Sequence, residues 1–160
     1  MVNLEIVNLL ICYFVILLIC YFVILLFCRN FAAMKHYVLL AFGSNITNGS
    51  EIIEHAVAEV TEVTEVVKVI RWSGCMLTKP VGIVSPMFTN GIMSGTTDVE
   101  YDKLLVLTKR CERRHGNRKS KRAKGIITLD IDILKFDDNI YHVDDWEREY
   151  VKAFVKGEKA

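Results

Sequence analysis

The chain has 160 residues, 52% of them apolar and 24% charged, with a formal net charge of +1. That length and apolar fraction supply one domain with a sizeable core and exclude a disordered or collagen-like chain. The apolar residues are unevenly spread, with 28 in the first 33 positions and about 43% in the remaining 127, an ordinary globular share.

Residues 9–28 form an uninterrupted apolar and aromatic run of twenty, a length that spans a bilayer as a helix of about 30 Å. Within it, ICYFVILL at 11–18 is repeated identically at 19–26. One reading is a membrane anchor, with Arg29 and Lys35 keeping the rest of the chain on the cytoplasmic side. The other is a leader made by a short duplication, residues 1–33, that is not part of the fold, with the domain occupying 34–160. The second is the expectation. A cleaved signal peptide fits poorly, because residues 1–8 carry no positive charge and Phe31 stands where a small residue belongs. Cys12, Cys20 and Cys28 lie in the leader, which leaves Cys75 and Cys111 as reduced thiols of a cytoplasmic domain.

In the domain, residues 36–42 read as a β-rich first strand ended by the turn cluster Gly43-Ser44-Asn45. Asn48 with Glu51 predicts a helix start, followed by Ile52, Ile53, Ala56, Val57 and Val60 at helical spacing. A second strand is predicted over 66–77, a loop holding Pro80 and Pro86 comes next, and 88–97 gives a third strand. Thr97 with Glu100 predicts a capping box for a second helix, whose inward stripe is Tyr101, Leu104, Leu105, Thr108 and Cys111 and which ends near Gly116. Glu112 falls on or beside that stripe. Residues 126–136 form a fourth strand, 139–142 a short one, and 145–155 a terminal helix. The order βαββαβ predicts an α+β fold of ferredoxin-like type, a two-layer sandwich on a mostly antiparallel sheet.

Three groups of residues point to chemistry. Asp130 and Asp132, in Leu129-Asp130-Ile131-Asp132-Ile133, project from one strand face with Cα atoms roughly 6.6 Å apart, a pair that repels unless a cation such as Mg²⁺ lies between them. Residues 109–124 hold nine of the twenty Lys and Arg against one acid, Glu112, a local +8 that leaves the rest of the chain at −7 and implies an anionic ligand. Phosphate or nucleic acid both satisfy that charge. Thr78-Lys79-Pro80-Val81-Gly82, with Phe88 and Asn90, offers a rigid loop, a flat ring and an amide to a planar heterocycle. His36, His55, His115 and His142 share no ligand spacing and read as surface or strand-end residues. The acids 137, 138, 144 and 145 read as turn and helix caps.

Together these segments resemble 6-hydroxymethyl-7,8-dihydropterin pyrophosphokinase, over nearly all of 34–154. The resemblance rests on Phe42-Gly43-Ser44-Asn45, Thr78 to Gly82, Phe88, Asn90, Glu112 with Gly116, and above all Thr128-Leu129-Asp130-Ile131-Asp132-Ile133-Leu134. It implies transfer of pyrophosphate from ATP to the pterin hydroxymethyl group, with release of AMP, in folate synthesis. It also implies two Mg²⁺ ions on Asp130 and Asp132, a catalytic part for Glu112, and a pterin site of Thr78, Pro80, Val81, Gly82, Phe88, Asn90 and Phe154. ATP would meet Glu112, Arg118, Lys119, Arg122, Lys124 and Ile133. The partners expected are these small molecules, bound by a monomer, with a membrane involved only if the leader is an anchor.

The chain departs from the family pattern at two arginine positions, which are Asn117 and Ile127 here, and at a tryptophan, which is Lys124. A Pro-His segment before the terminal phenylalanine is absent, and the loop between Gly82 and Phe88 is about two residues short. An arginine on a transferring phosphoryl group is worth about 10³ to 10⁵ in rate. A homologue that binds nucleotide or pterin without full turnover is therefore the alternative, unless Arg122 or Lys124 substitutes. An RNA-binding module is the rival class, but Ile126, Ile127 and Leu129 stand where stacking aromatics are required after Lys124-Gly125.

Overall fold

The computed structural model describes residues 13–23, 34–80 and 86–158. The chain divides into two units, Met1–Met34 and Lys35–Ala160. In the first, residues 13–23 are helical with exposed side chains. Both ends of the duplicated run lie outside the described residues. No helix among the described residues is long and apolar enough to cross a membrane.

The second unit is built on an antiparallel sheet. Its strands are β1 (His36–Ser44), β2 (Lys68–Trp72), β3 (Met76–Thr78), β4 (Phe88–Thr97), β5 (Asp130–Phe136) and β6 (Asn139–Ile140). They lie in the order β2-β4-β1-β5-β6, with β3 also paired to β4. Helices α1 (Gly49–Ala58) and α2 (Tyr101–Arg114) complete the βαββαβ order, with its second strand divided into β2 and β3, and α1 runs on into a π-turn at Glu59–Val63. A short helix α3 (Lys119–Arg122) comes after α2, and α4 (Glu149–Glu158) ends the chain after a 3₁₀ turn at Val143–Glu147.

Alternation along the strands decides which residues meet the helices. Val38, Leu40 and Phe42 of β1, with Leu129, Ile131, Ile133 and Phe136, close one core against Ile53 and Ala56 of α1 and Leu104 and Cys111 of α2. The opposite parity of β1 gives a second, smaller core, in which Leu39, Ile92 and Leu134 meet Val151 and Phe154 of α4. The pairing of β1 with β5 shifts register between Leu39 and Leu40. Alternation puts Leu134 on the opposite face from Ile133, and the bulge brings Phe136, three residues after Ile133, back to the first core.

Several local expectations are corrected. Asn48 is the N-cap of α1 as expected but makes no side-chain capping hydrogen bond, and the box of Thr97 with Glu100 does not form, Glu100 itself being the N-cap of α2. Thr97 instead ends β4, where its Oγ1 donates to the Val66 carbonyl. The second predicted strand is two strands, β2 and β3, separated by Gly74 at φ +73°. β5 starts at Asp130, four residues later than expected, because Ile127 is bound to Asn45 instead of to a strand. Asn45 Oδ1 accepts the Ile127 N–H at 2.7 Å, and the Asn45 N–H donates to the Ile127 carbonyl at 3.0 Å. The end of α2 is as predicted: Gly116 takes φ +84°, a left-handed turn that a side chain would strain. Of the two readings for His36, surface or strand end, the second holds: it is the first residue of β1 and is buried there. Cys75 and Cys111 are free thiols. Burial, with the Glu112 charge adding to it, pushes the Cys111 thiol up to about 11.

Candidate functional site

The two aspartates point away from the α1–α2 core, because Leu129, Ile131 and Ile133 fill it and parity leaves Asp130 and Asp132 on the other side. There they border a cleft of about 180 Å³ that also takes in Gly43, Thr78, Pro80, Phe88 and Asn90. Asn90 Nδ2 donates to Thr78 Oγ1 at 2.6 Å, which ties β4 to the end of β3. A Cβ on Gly43 would lie 3.1 Å from Asn90 Oδ1, so the absent side chain keeps this corner open. Val81 and Gly82 lie outside the described residues.

Glu112 anchors the other side. Its carboxylate is 4% exposed as a residue, and Oε1 accepts the Ile131 N–H at 3.0 Å while Oε2 accepts from Asn117 Nδ2 at 3.1 Å. Glu112, Arg118, Lys119 and Arg122 line a second, basic pocket of about 570 Å³, together with Lys109, Arg113 and Asn117. Arg122 reaches across it. Its Nε donates to Asn117 Oδ1 at 3.2 Å, and its Nη2 pairs with Asp130 Oδ1 and lies 3.9 Å from Glu112 Oε2.

Lys109 opens the basic segment 109–124 with no role of its own expected, and its Nζ sits among four acceptors. It lies 2.5 Å from Glu112 Oε1, 3.1 Å from the Ile131 carbonyl, and 3.7 Å from both Asp130 Oδ1 and Asp132 Oδ1. Burial opposes its charge, but the Glu112, Asp130 and Asp132 carboxylates outweigh that and hold the ammonium above the ordinary lysine value. Asp132 is shifted up, first by burial and then by the Asp130 charge, against Lys109 and His142. Two carboxylates that converge on one cation form a donor set suited to a hard divalent ion, so the residues fit Mg²⁺.

Three predicted contacts lie elsewhere. Phe154 is 4% exposed in the second core, with the Arg71 guanidinium 4.5 Å over its ring, so its face is not open to a pterin. Helix α4 turns that ring inward against Leu39 and Leu134. Ile133 is buried in the first core, which leaves its side chain unavailable to a nucleotide. Lys124 lines a separate groove with Asn45, Pro86 and Met87.

Asp145, Arg148 and Tyr150 enter the cleft from the C-terminal segment, which sequence spacing gave no reason to bring there. Asp132, His142 and Asp145 have ligand atoms within 4.8 Å of one another, as do Glu59, Cys111 and His115 away from the cleft, groupings that sequence separation concealed. In the second, Glu59 is already paired with His115 and Arg114.

No curated protein matches the chain. A family model, 7,8-dihydro-6-hydroxymethylpterin-pyrophosphokinase, matches residues 39–156, about three quarters of the sequence. The match takes in both pockets, the strand carrying Asp130 and Asp132, and the helix carrying Glu112. On that extent the chain belongs to the 7,8-dihydro-6-hydroxymethylpterin-pyrophosphokinase family.

Proposed function

We propose that this protein transfers pyrophosphate from ATP to 6-hydroxymethyl-7,8-dihydropterin and releases AMP. Family membership supports the general activity, pterin pyrophosphorylation in folate biosynthesis. The observation that carries the finer reading is the adjacency of two unlike pockets. Asp130, in the cleft with an aromatic and an amide, is paired with Arg122 of the basic pocket, so an acceptor and a polyphosphate can be held side by side.

In this reading Phe88 stacks on the pterin, and Asn90, Thr78 and the loop from Pro80 through Val81 and Gly82 bind its edge. Arg118, Lys119 and Arg122 hold the ATP phosphates, and Glu112 ties α2 to β5, the strand that carries Asp130 and Asp132. Asp130 and Asp132 hold Mg²⁺. Bound there, the metal supplies positive charge to phosphate oxygens as charge develops on them. The pterin hydroxyl attacks the β-phosphorus, forming the new O–P bond as the bond to the α-phosphate oxygen breaks and AMP leaves. Orientation and electrostatic stabilisation carry most of the rate in such transfers.

Arg122 bears on the missing arginines. With Asn117 and Ile127 in those positions, the cation nearest Asp130 from the basic segment is the Arg122 guanidinium, steered by Asn117 Oδ1. We assign it the phosphate-stabilising role. Asn117 and Ile127 favour one alternative, a homologue that holds both ligands and turns over slowly. Quantified AMP release from the protein with ATP, Mg²⁺ and hydroxymethyldihydropterin tests the reading, and tight binding of both ligands without AMP supports the alternative.

The domain at 34–160 carries this activity in the cytoplasm, with residues 1–33 dispensable to it.

A further inference from the structure

The position of Lys109 does not follow from the proposed reaction. A lysine at the border of a phosphate pocket is free to extend toward solvent, and this one is 37% exposed along its side chain. Its ammonium nevertheless turns inward, equidistant at 3.7 Å from Asp130 Oδ1 and Asp132 Oδ1. Two other contacts hold it there, Glu112 Oε1 at 2.5 Å and the Ile131 carbonyl at 3.1 Å. Lys109 and Glu112 are one helical turn apart, so α2 delivers the cation and the anion that fixes it together.

The charges sharpen the point. Lys109 and Arg122 both meet Asp130 Oδ1, and together they bring +2, the charge of one divalent ion. A further dication has to displace the ammonium or accept a unit charge close by. At an effective dielectric constant near 20 such repulsion suppresses ion binding by at least about tenfold.

We propose that the Lys109 ammonium is a built-in counter-cation that takes one of the two metal places at Asp130 and Asp132, so that nucleotide brings a single divalent ion into the site. The inference rests on the nucleotide-binding reading above. Lys109 acts here as a positioning residue, setting metal stoichiometry through the two aspartates.

Native mass spectrometry of the full chain, saturated with α,β-methylene-ATP and Mn²⁺, counts the ions on each nucleotide-bound molecule. The inference requires one ion in the wild type and two in Lys109→Met. Lys109→Gln, which keeps the polar end without the charge, also takes two, and it decides the matter if the methionine variant fails to fold. Without nucleotide, Mn²⁺ binds either variant at least about tenfold tighter than wild type. Two ions on the wild-type chain, or one on both variants, overturn the inference and leave the nucleotide reading standing. A chain that takes up no nucleotide overturns both.

Discussion

The Glu112 carboxylate accepts the backbone N–H of Ile131 at 3.0 Å, so the last turns of α2 are tied to the residue between the two aspartates. Strand parity turns the Ile131 side chain into the core and its neighbours Asp130 and Asp132 outward. A single buried carboxylate therefore sets where the pair stands relative to the basic pocket.

Removing that carboxylate leaves the Ile131 N–H and the Asn117 amide without this acceptor and takes from the Lys109 ammonium its nearest one. Glu112→Ala is expected to cost about 1 to 3 kcal/mol, the scale of leaving buried donors without their acceptor, and Glu112→Gln about half as much. Urea denaturation checks this as a fall in midpoint at unchanged slope.

At Gly95 the backbone of β2 lies close on β4. A Cβ there would stand 2.6 Å from the Lys68 carbonyl oxygen and 2.6 Å from Val67 Cγ1, and the backbone oxygen cannot swing aside. Gly95→Ala is expected to destabilise by about 1 to 3 kcal/mol. Thermal unfolding followed by circular dichroism reads the loss.

His36 and Asp137 join β1 to the turn after β5, with Nδ1 and Oδ2 2.6 Å apart. The hydrogen bond to Asp137 holds the imidazole above its ordinary value of 6.5, and the same bond holds the Asp137 carboxyl below 3.8. A raised histidine value contributes stability that is complete below pH 6.5 and is lost as pH rises through the folded-state value. A lowered aspartate value contributes stability present above 3.8 and lost as pH falls through the folded-state value. The pair thus stabilises most between about pH 4 and 6.5. The urea midpoint of the wild type is expected to fall between about pH 6 and pH 8, and that of His36→Gln to fall less.

Residues 34–160 enclose both apolar cores of the second unit. A chain starting at Met34 is expected to unfold in one transition at the midpoint of the full-length protein. Differential scanning calorimetry of the two chains makes the comparison.

The βαββαβ order was legible because β1 is a β-rich run ended by Gly43-Ser44-Asn45 and the two helices carry apolar stripes at helical spacing, and Asp130-Ile131-Asp132 because alternation leaves one face to each residue type. The capping boxes were not, since Thr97 is consumed by strand pairing and its bond to Val66, a tertiary choice that local spacing does not encode. Phe154 has the residue type for stacking, but the rotation of α4 onto Leu39 and Leu134 is set by packing between elements distant in sequence. Lys109 stood in plain view three residues before Glu112. Its inward turn depends on how far β5 reaches along α2, which only the assembled sheet defines.

The central claim is that Asp130 and Asp132 serve pyrophosphate transfer from ATP to a dihydropterin. Its most direct test is AMP formed by the full chain in ATP, Mg²⁺ and 6-hydroxymethyl-7,8-dihydropterin, against Asp130→Ala and Asp132→Ala variants whose folding is verified by circular dichroism. We predict AMP that depends on the pterin and falls by at least about a hundredfold in either variant. Pterin-dependent AMP at equal rates in wild type and both variants would contradict the account, as would its absence from all three.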